Sequence, residues 1–154
     1  MKKLWYLDSP IGRIGLAEDG GGITDLFLRS PKADGFQEEG TPLLRRAAEQ
    51  LREYFSGQRK KFDLPLSLHG TPFQLADWAA LQTIPYGETR SYAQIAAQRR
   101  SGTGKPAAPT ANGRNPVMIL VPCHRVVAAD GGLGGFSAGT EIKRFLLKLE
   151  EKHR

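Results

Sequence analysis

The 154-residue chain is poor in side chains that cross-link or bind metals: it has one cysteine, Cys123, and three histidines, His69, His124 and His153. A single thiol excludes an internal disulfide and any zinc site built from several thiolates, and histidines so scattered do not suggest a metal cluster. These absences predict a metal-free protein of a reducing compartment. Long apolar runs are missing too. "MKKLWYLDSP" starts basic, but its apolar stretch ends at Asp8 and Pro10, too soon for a signal peptide or a membrane span. The expected location is the cytoplasm, or the nucleoid in a prokaryote, with no membrane partner. Acidic side chains are in deficit, 16 against 22 lysines and arginines, giving a formal net charge of +6 and an isoelectric point near 9.7. That balance fits a polyanion partner, although many basic proteins bind nothing acidic. A chain of this length makes one ordinary domain, or two small ones sharing a core, and folds without a staple.

What is present begins with short β-type runs. "LWYL", "IGRIGLA" and "ITDLFL", separated by turn signals that include "DGGG" at 19–22, predict an antiparallel meander over residues 4–28. "TPLLRRAAEQLREYF" offers Thr41 as an N-cap and Pro42 at the first helical position, with Leu44, Ala47 or Ala48, Leu51 and Phe55 on one face. This is a helix expected to flank the small sheet. "SGQRKKFDLPLSLHG" at 56–70 carries Gly, Pro and a basic cluster and reads as a linker with at most one short strand, so the predicted domains are 1–68 and 69–154.

Two capping boxes follow, "TPFQ" at 71–74 and "SYAQ" at 91–94, each a hydroxyl residue three positions before a glutamine; helices should begin at both. "IPYGE" between them is a turn, and "RRSGTGK" at 99–105 is a glycine-containing break. A short helix, a turn and another short helix outline a helix-turn-helix. "VMILV" predicts a short strand running into Pro122 and Cys123, a glycine-rich loop "DGGLGGFSAG" follows, and "TEIKRFLLKLE" closes with Ile142, Phe145, Leu146 and Leu149 on one helical stripe. The fold class is α/β: a small N-terminal antiparallel sheet with a flanking helix, then a mostly helical domain with a helix-turn-helix and short strands.

A lone cysteine is more often a small buried hydrophobe than a nucleophile. Here its neighbours point to chemistry: Pro122 withholds an amide donor, His124 can help generate a thiolate, and Arg125 adds positive potential, all of which lower a thiol pKa. A hydrogen-bonded core histidine is the plainer reading of His124. The loop "GGLGGFSAG" lacks the Lys-Ser/Thr end of a phosphate loop, and its glycines better suit close backbone approach to a flat ligand. Arg90, Arg99, Arg100, Lys105 and Arg114 cluster around the helix-turn-helix, as phosphate contacts require.

With "NP" at 115–116, "PCHRV" at 122–126, "GGFSAG" at 134–139 and "KLE" at 148–150 in view, the chain resembles the O6-alkylguanine-DNA alkyltransferase (methylated-DNA–protein-cysteine methyltransferase) family, strongly from "GTPFQ" onward and weakly over the N-terminal third. The resemblance implies a monomer that binds double-stranded DNA from the minor groove, flips O6-alkylguanine out of the stack, and moves the alkyl group onto cysteine once, without a cofactor; it extends the substrate to O4-alkylthymine. Flipping is needed because the reacting atom is inaccessible within the duplex. Residue by residue, it implies Cys123 as acceptor, His124 as a base acting through a water, and Glu150 as the carboxylate orienting that histidine. Tyr92 helps protonate the guanine and turn the backbone, and Asn115 braces the turn under the site. Val126 and Ser137 wall the pocket, and Lys143 matches a frequent basic residue on the last helix. Arg99, Arg100, Lys105, Pro106, Arg114 and Arg125 join Tyr92 as expected DNA contacts.

Three departures stand out. The family's recognition helix carries an arginine that fills the hole left by the flipped base, and ungapped counting from Tyr92 and from Asn115 both place Pro106 there. Pro106 and Pro109 together remove backbone donors and predict a shortened or redrawn helix; Lys105 is the nearest substitute, and Pro106 itself can act as an apolar wedge. Phe136 and Ala138 stand where tyrosine and glycine are frequent, and the extra methyl of Ala138 narrows the pocket toward small alkyl groups. The zinc ligands of some members' N-terminal domains are absent. Rival readings are a lesion binder of the same fold without chemistry, a helix-turn-helix transcriptional regulator with a structural cysteine, and a cysteine hydrolase.

The proline substitution generates a direct expectation: Pro106→Arg should tighten binding to duplex DNA and quicken alkyl transfer. Duplex affinity and single-turnover rate measure it, and an unchanged rate contradicts it.

Overall fold

The computed structural model describes residues 2–28, 35–103, 115–130, 132–133 and 139–154, with backbone alone for 99–103. The fold is mixed α/β, and the chain divides into two compact units, Met1–His69 and Gly70–Arg154.

In the first unit, β1 (Lys2–Ser9), β2 (Gly12–Glu18) and β3 (Ile23–Leu28) form the antiparallel meander, and β4 (Phe36–Glu38) adds to the free edge of β1 to give the order β3-β2-β1-β4. The sheet is therefore not wholly antiparallel: β4 pairs parallel with β1, Lys2 opposite Phe36. Such pairing needs a crossover from the far side of the sheet, which a run of local turn signals does not reveal. Between β2 and β3, Asp19 Oδ1 accepts from the amides of Gly21 and Gly22 at 2.8 and 3.2 Å, while Gly20 takes a φ of +92°.

Helix α1 (Pro42–Phe55) starts as expected, with Thr41 Oγ1 accepting from Leu44 N at 3.2 Å and its hydroxyl donating to Glu18. It packs on β1 and β2 through Leu44, Ala47, Ala48 and Leu51, and buries Tyr54 in preference to Phe55. One buried position is polar. Gln50 donates to Asp63 O at 3.2 Å and accepts from Asp63 N at 2.9 Å, which satisfies its amide and pins the following segment to the helix. That segment, expected as a linker, is stitched to β3 by Ile23 N to Pro65 O at 2.9 Å and Ser67 N to Ile23 O at 2.8 Å.

In the second unit both capping boxes form. Thr71 and Gln74 exchange bonds at the start of α2 (Pro72–Leu81), and Ser91 and Gln94 do so at the start of α3 (Tyr92–Thr103), at 2.8 and 3.1 Å. The break predicted over 99–105 does not begin at Arg99: α3 runs on to Thr103, and residues 104–105 lie outside the described residues. A single interior glycine costs a helix only about 1 kcal/mol, too little to end it. Strand β5 (Arg90–Ser91) pairs parallel with β6 (Val126–Val127).

The strand predicted from "VMILV" is replaced by a tight turn: Val121 N donates to Val117 O at 2.9 Å, and Ile119 has a φ of +76°. A β-branched residue with positive φ costs roughly 1–3 kcal/mol. Two gains outweigh that. Ile119 is 1% exposed, a burial worth about 1.5–3 kcal/mol, and Asn115 clamps the turn, its Oδ1 accepting from Val117 N at 3.0 Å and its Nδ2 donating to Val121 O at 2.8 Å, each worth about 1 kcal/mol. Packing and one side chain override strand propensity here.

The last helix, α4 (Thr140–Lys152), also departs from its predicted face. Of the expected stripe only Leu146 is buried; Phe145 is exposed, and the buried line is Lys143, Leu146 and Glu150. Two charged residues occupy the inner face because each has a partner there. Among the described residues, no helix is long and apolar enough to cross a membrane.

Candidate active site

The site is built from the chain that leaves the Asn115 turn. Residues 117–126 are all buried, and Cys123, His124 and Arg125 form a single 3₁₀ turn closed by Arg125 N to Pro122 O at 3.0 Å. This tight turn sends three consecutive side chains in different directions within the interior, with α4 packed against it.

Glu150, 1% exposed, is the hub. Its Oε2 lies 2.6 Å from His124 Nε2 and accepts from Arg125 Nη2 at 3.0 Å, while Oε1 accepts from Arg125 Nε at 2.8 Å and from Gly87 N at 3.2 Å. Gly87 reaches it because the predicted "IPYGE" turn places that residue at a φ of +78°. The third arm of the Arg125 guanidinium donates to Ile84 O at 2.7 Å, and its carbon sits 5.8 Å from the centre of the Tyr86 ring. Burial alone pushes the Glu150 carboxyl up, but the His124 and Arg125 bonds and charges win and hold it at about 2. Glu150 is thus a carboxylate at neutral pH, and His124 Nε2 must carry the hydrogen that it accepts. The lone pair of the neutral ring is on Nδ1, which has no hydrogen-bond partner among the described residues. Burial lowers the His124 pKa; Glu150 opposes this, and Arg125 and Lys143 reinforce it.

The thiol was expected to be acidic, and the structure corrects this. Burial pushes Cys123 up to about 11, more than the hydrogen bond from Asn115 and the charge of Lys143 pull it down, and the charge of Asp77 adds to the rise. The two neighbours expected to offset that burial do not, because the positive charge of Arg125 is spent on Glu150 and burial keeps His124 neutral. Arg125 is also corrected as an expected DNA contact: it is 7% exposed, and all three nitrogens of its guanidinium are turned inward onto Glu150 and a backbone carbonyl.

Tyr92 opens α3, half-buried, with Lys143 Nζ 5.8 Å from its ring centre. Lys143 is fully buried and donates from Nζ to Val126 O at 2.5 Å; burial lowers its pKa, with Cys123 opposing. Val126 therefore keeps one carbonyl lone pair for another donor. The structure brings together Cys123, His124, Glu150, Asn115, Val126, Arg125 and Lys143, and adds Gly87 and the Ile84 carbonyl. Lys143 was marked by the family resemblance alone, since the stripe read from hydrophobicity left it off the inner face; the backbone groups of Ile84 and Gly87 carried no signal. Arg99 and Arg100 lie on α3 with backbone alone described, and Lys105, Pro106, Arg114, Phe136, Ser137 and Ala138 lie outside the described residues.

Comparison with known proteins bears on this geometry. Residues 72–152 match the family model described as 6-O-methylguanine DNA methyltransferase, DNA binding domain, and residues 3–68 match that of the same family's ribonuclease-like domain. The chain is 46% identical over 153 residues to the methylated-DNA–protein-cysteine methyltransferase of Methanosarcina barkeri, covering 96% of each chain. It is 46% identical over 151 residues to the constitutive enzyme of that name from Bacillus subtilis, covering 93% of this chain and 92% of that one. The crystal structure of Mycobacterium tuberculosis OGT in complex with DNA superposes with a TM-score of 0.88 at 42% identity, covering 98% of this chain and 94% of that one.

The buried network fixes the acid stability of the protein. The folded pKa values of Glu150 and His124 both lie below their ordinary values of 4.5 and 6.5, so the unfolded chain binds more protons and stability falls with pH. The His124 contribution begins to be lost below 6.5, and that of Glu150 between 4.5 and about 2. Urea unfolding at a series of pH values should show this decline. Glu150→Gln should lose about 3 kcal/mol or more at neutral pH, by leaving Arg125 buried and unpaired, and should flatten the profile below 4.5. An unchanged acid profile in the variant contradicts the assignment.

Proposed function

The chain belongs to the 6-O-methylguanine DNA methyltransferase family, and on that premise we propose that it repairs DNA by direct transfer of the alkyl group of O6-alkylguanine, and of O4-alkylthymine, to Cys123. The observation that carries this reading is a buried assembly: a thiol and a histidine side by side in one 3₁₀ turn, with the histidine held at 2.6 Å by an ionised carboxylate that α4 presents. A thiol at about 11 is ionised only about one part in 10⁴ at neutral pH, so it needs a base at the moment of reaction.

His124 supplies that base. Its Nε2–H is held by Glu150, so Nδ1 takes the proton: the thiol passes its hydrogen to a bridging water as that water gives one to Nδ1. The thiolate sulfur then attacks the alkyl carbon in line with O6. The S–C bond forms as the C–O6 bond breaks, its electron pair goes to O6, and the guanine takes a proton from the Tyr92 hydroxyl; the imidazolium and phenolate re-equilibrate with solvent. The product thioether is stable, so each molecule acts once, as a monomer and without a cofactor. The carbonyl of Val126 and the segment bearing Ser137 read the guanine edge, and Phe136 and Ala138 shape the pocket.

The second unit, Gly70–Arg154, carries both DNA binding and the acceptor thiol. Helices α2 and α3 are assigned to the duplex, with Arg99, Arg100, Lys105 and Arg114 as its phosphate contacts, and ungapped counting puts Pro106 at the sequence position of the family's inserted arginine. The cytoplasm or nucleoid is the setting. A lesion binder without chemistry has no use for a base assembled beside Cys123, and a transcriptional regulator has none for a tautomer-fixed histidine.

Intact-mass measurement after incubation with an O6-methylguanine duplex tests the reading. One methyl group should be gained per molecule, with none from undamaged duplex and none in Cys123→Ser; no gain under conditions where the duplex is bound overturns it.

A further inference from the structure

We propose that Arg125 is a positioning residue for the transfer reaction, holding Glu150 so that His124 stays neutral until Cys123 itself provides the proton. The inference rests on the reading of Cys123 as the alkyl acceptor and adds to it a role for a residue expected at the DNA surface.

The argument is one of charge balance in a closed space. Arg125 and Glu150 are 7% and 1% exposed and His124 is fully buried. The guanidinium remains protonated throughout the accessible pH range, and it takes both carboxylate oxygens, at 2.8 and 3.0 Å. The single negative charge of Glu150 is already matched. A proton taken by His124 from solvent would leave a net positive charge in a site that also faces buried Lys143, and burial strongly disfavours that. A proton taken from Cys123 is different, because the thiolate left behind supplies the balancing negative charge. The network therefore refuses protons from bulk water and accepts one from the thiol.

Among the described residues, the charged and titratable groups around His124 balance in favour of the neutral ring. From α4 come Glu150, which favours imidazolium, and Lys143, which opposes it; from its own turn, Arg125 opposes it. Cys123 adjoins it, facing Lys143 and the buried Asp77 of α2. Tyr86 faces Glu150 and Arg125 from the loop after α2, and Tyr92 of α3 faces Lys143. Without Arg125, Glu150 would be free to pair with an imidazolium, and His124 would rest protonated and unable to act as a base.

Arg125 also ties the pair to the 84–87 turn. Nη1 donates to Ile84 O at 2.7 Å while Gly87 N donates to Glu150 at 3.2 Å, so the carboxylate cannot rotate its Oε2 away from His124.

Two measurements test the proposal. Histidine ¹⁵N resonances of the wild-type protein, taken without DNA, should show His124 as the neutral Nε2–H tautomer at neutral pH and a unit below it. An imidazolium at neutral pH overturns the proposal, whatever the outcome of any variant and whether or not alkyl transfer occurs. In Arg125→Met, the pH midpoint of transfer from an O6-methylguanine duplex should move up by about one unit or more, with activity at neutral pH reduced roughly tenfold and recovering in alkali. A lowered rate at every pH with an unshifted midpoint is what a merely structural arginine gives, and it overturns the proposal. Wild-type transfer, scored by mass in parallel, reports separately on the underlying reading.

Discussion

A single carboxylate, Glu150, buried between an arginine and a histidine, sets the terms for the second unit. A buried charge survives only when its partners are supplied with good geometry, and Glu150 draws them from two places: His124 and Arg125 of the 3₁₀ turn, and the backbone amide of Gly87 in the loop after α2. Each partner is then fixed in turn. Arg125 must reach Ile84 O, Gly87 must adopt a positive φ, and α4 must present Glu150 inward at the expense of an apolar stripe. The network is an organising device as much as an electrostatic one.

The thiol benefits from this rigidity without being made acidic by it. Cys123 is kept protonated by burial, which outweighs the pull of Asn115 and Lys143, next to a histidine whose tautomer is fixed by the carboxylate. A protonated resting thiol resists oxidation and stray electrophiles, since the thiolate is the reactive form. For an acceptor used once, that protects the only thiol the chain has. The Asn115 clamp and the strained Ile119 turn belong to the same design: they direct a buried run of chain so that its one cysteine follows directly on the turn.

Much of this was legible in the residues, and for identifiable reasons. Caps are local chemistry, so Thr41, Thr71 and Ser91 marked three helix starts correctly. Turn residues marked "DGGG" and "IPYGE" in the same way. What failed depends on distant partners. "VMILV" has strand propensity at every position, but the side chain of Asn115 and burial decide its shape. The stripe on α4 was drawn on hydrophobicity, which cannot see that a lysine and a glutamate find partners inside. Arg125 was grouped with the basic residues expected at the DNA, because nothing local shows the carboxylate that claims it, 25 residues away. The parallel β4 strand is the same case in the first unit, a pairing made across the sheet and not along the chain.

The claim at the centre of the account is that Cys123 rests as a thiol and is deprotonated only through His124. Thiolate ultraviolet absorbance of the free protein, with Cys123→Ser as the blank, measures it directly over a pH titration. The account predicts a midpoint near 11; a midpoint at or below the ordinary thiol value of 9.0 contradicts it.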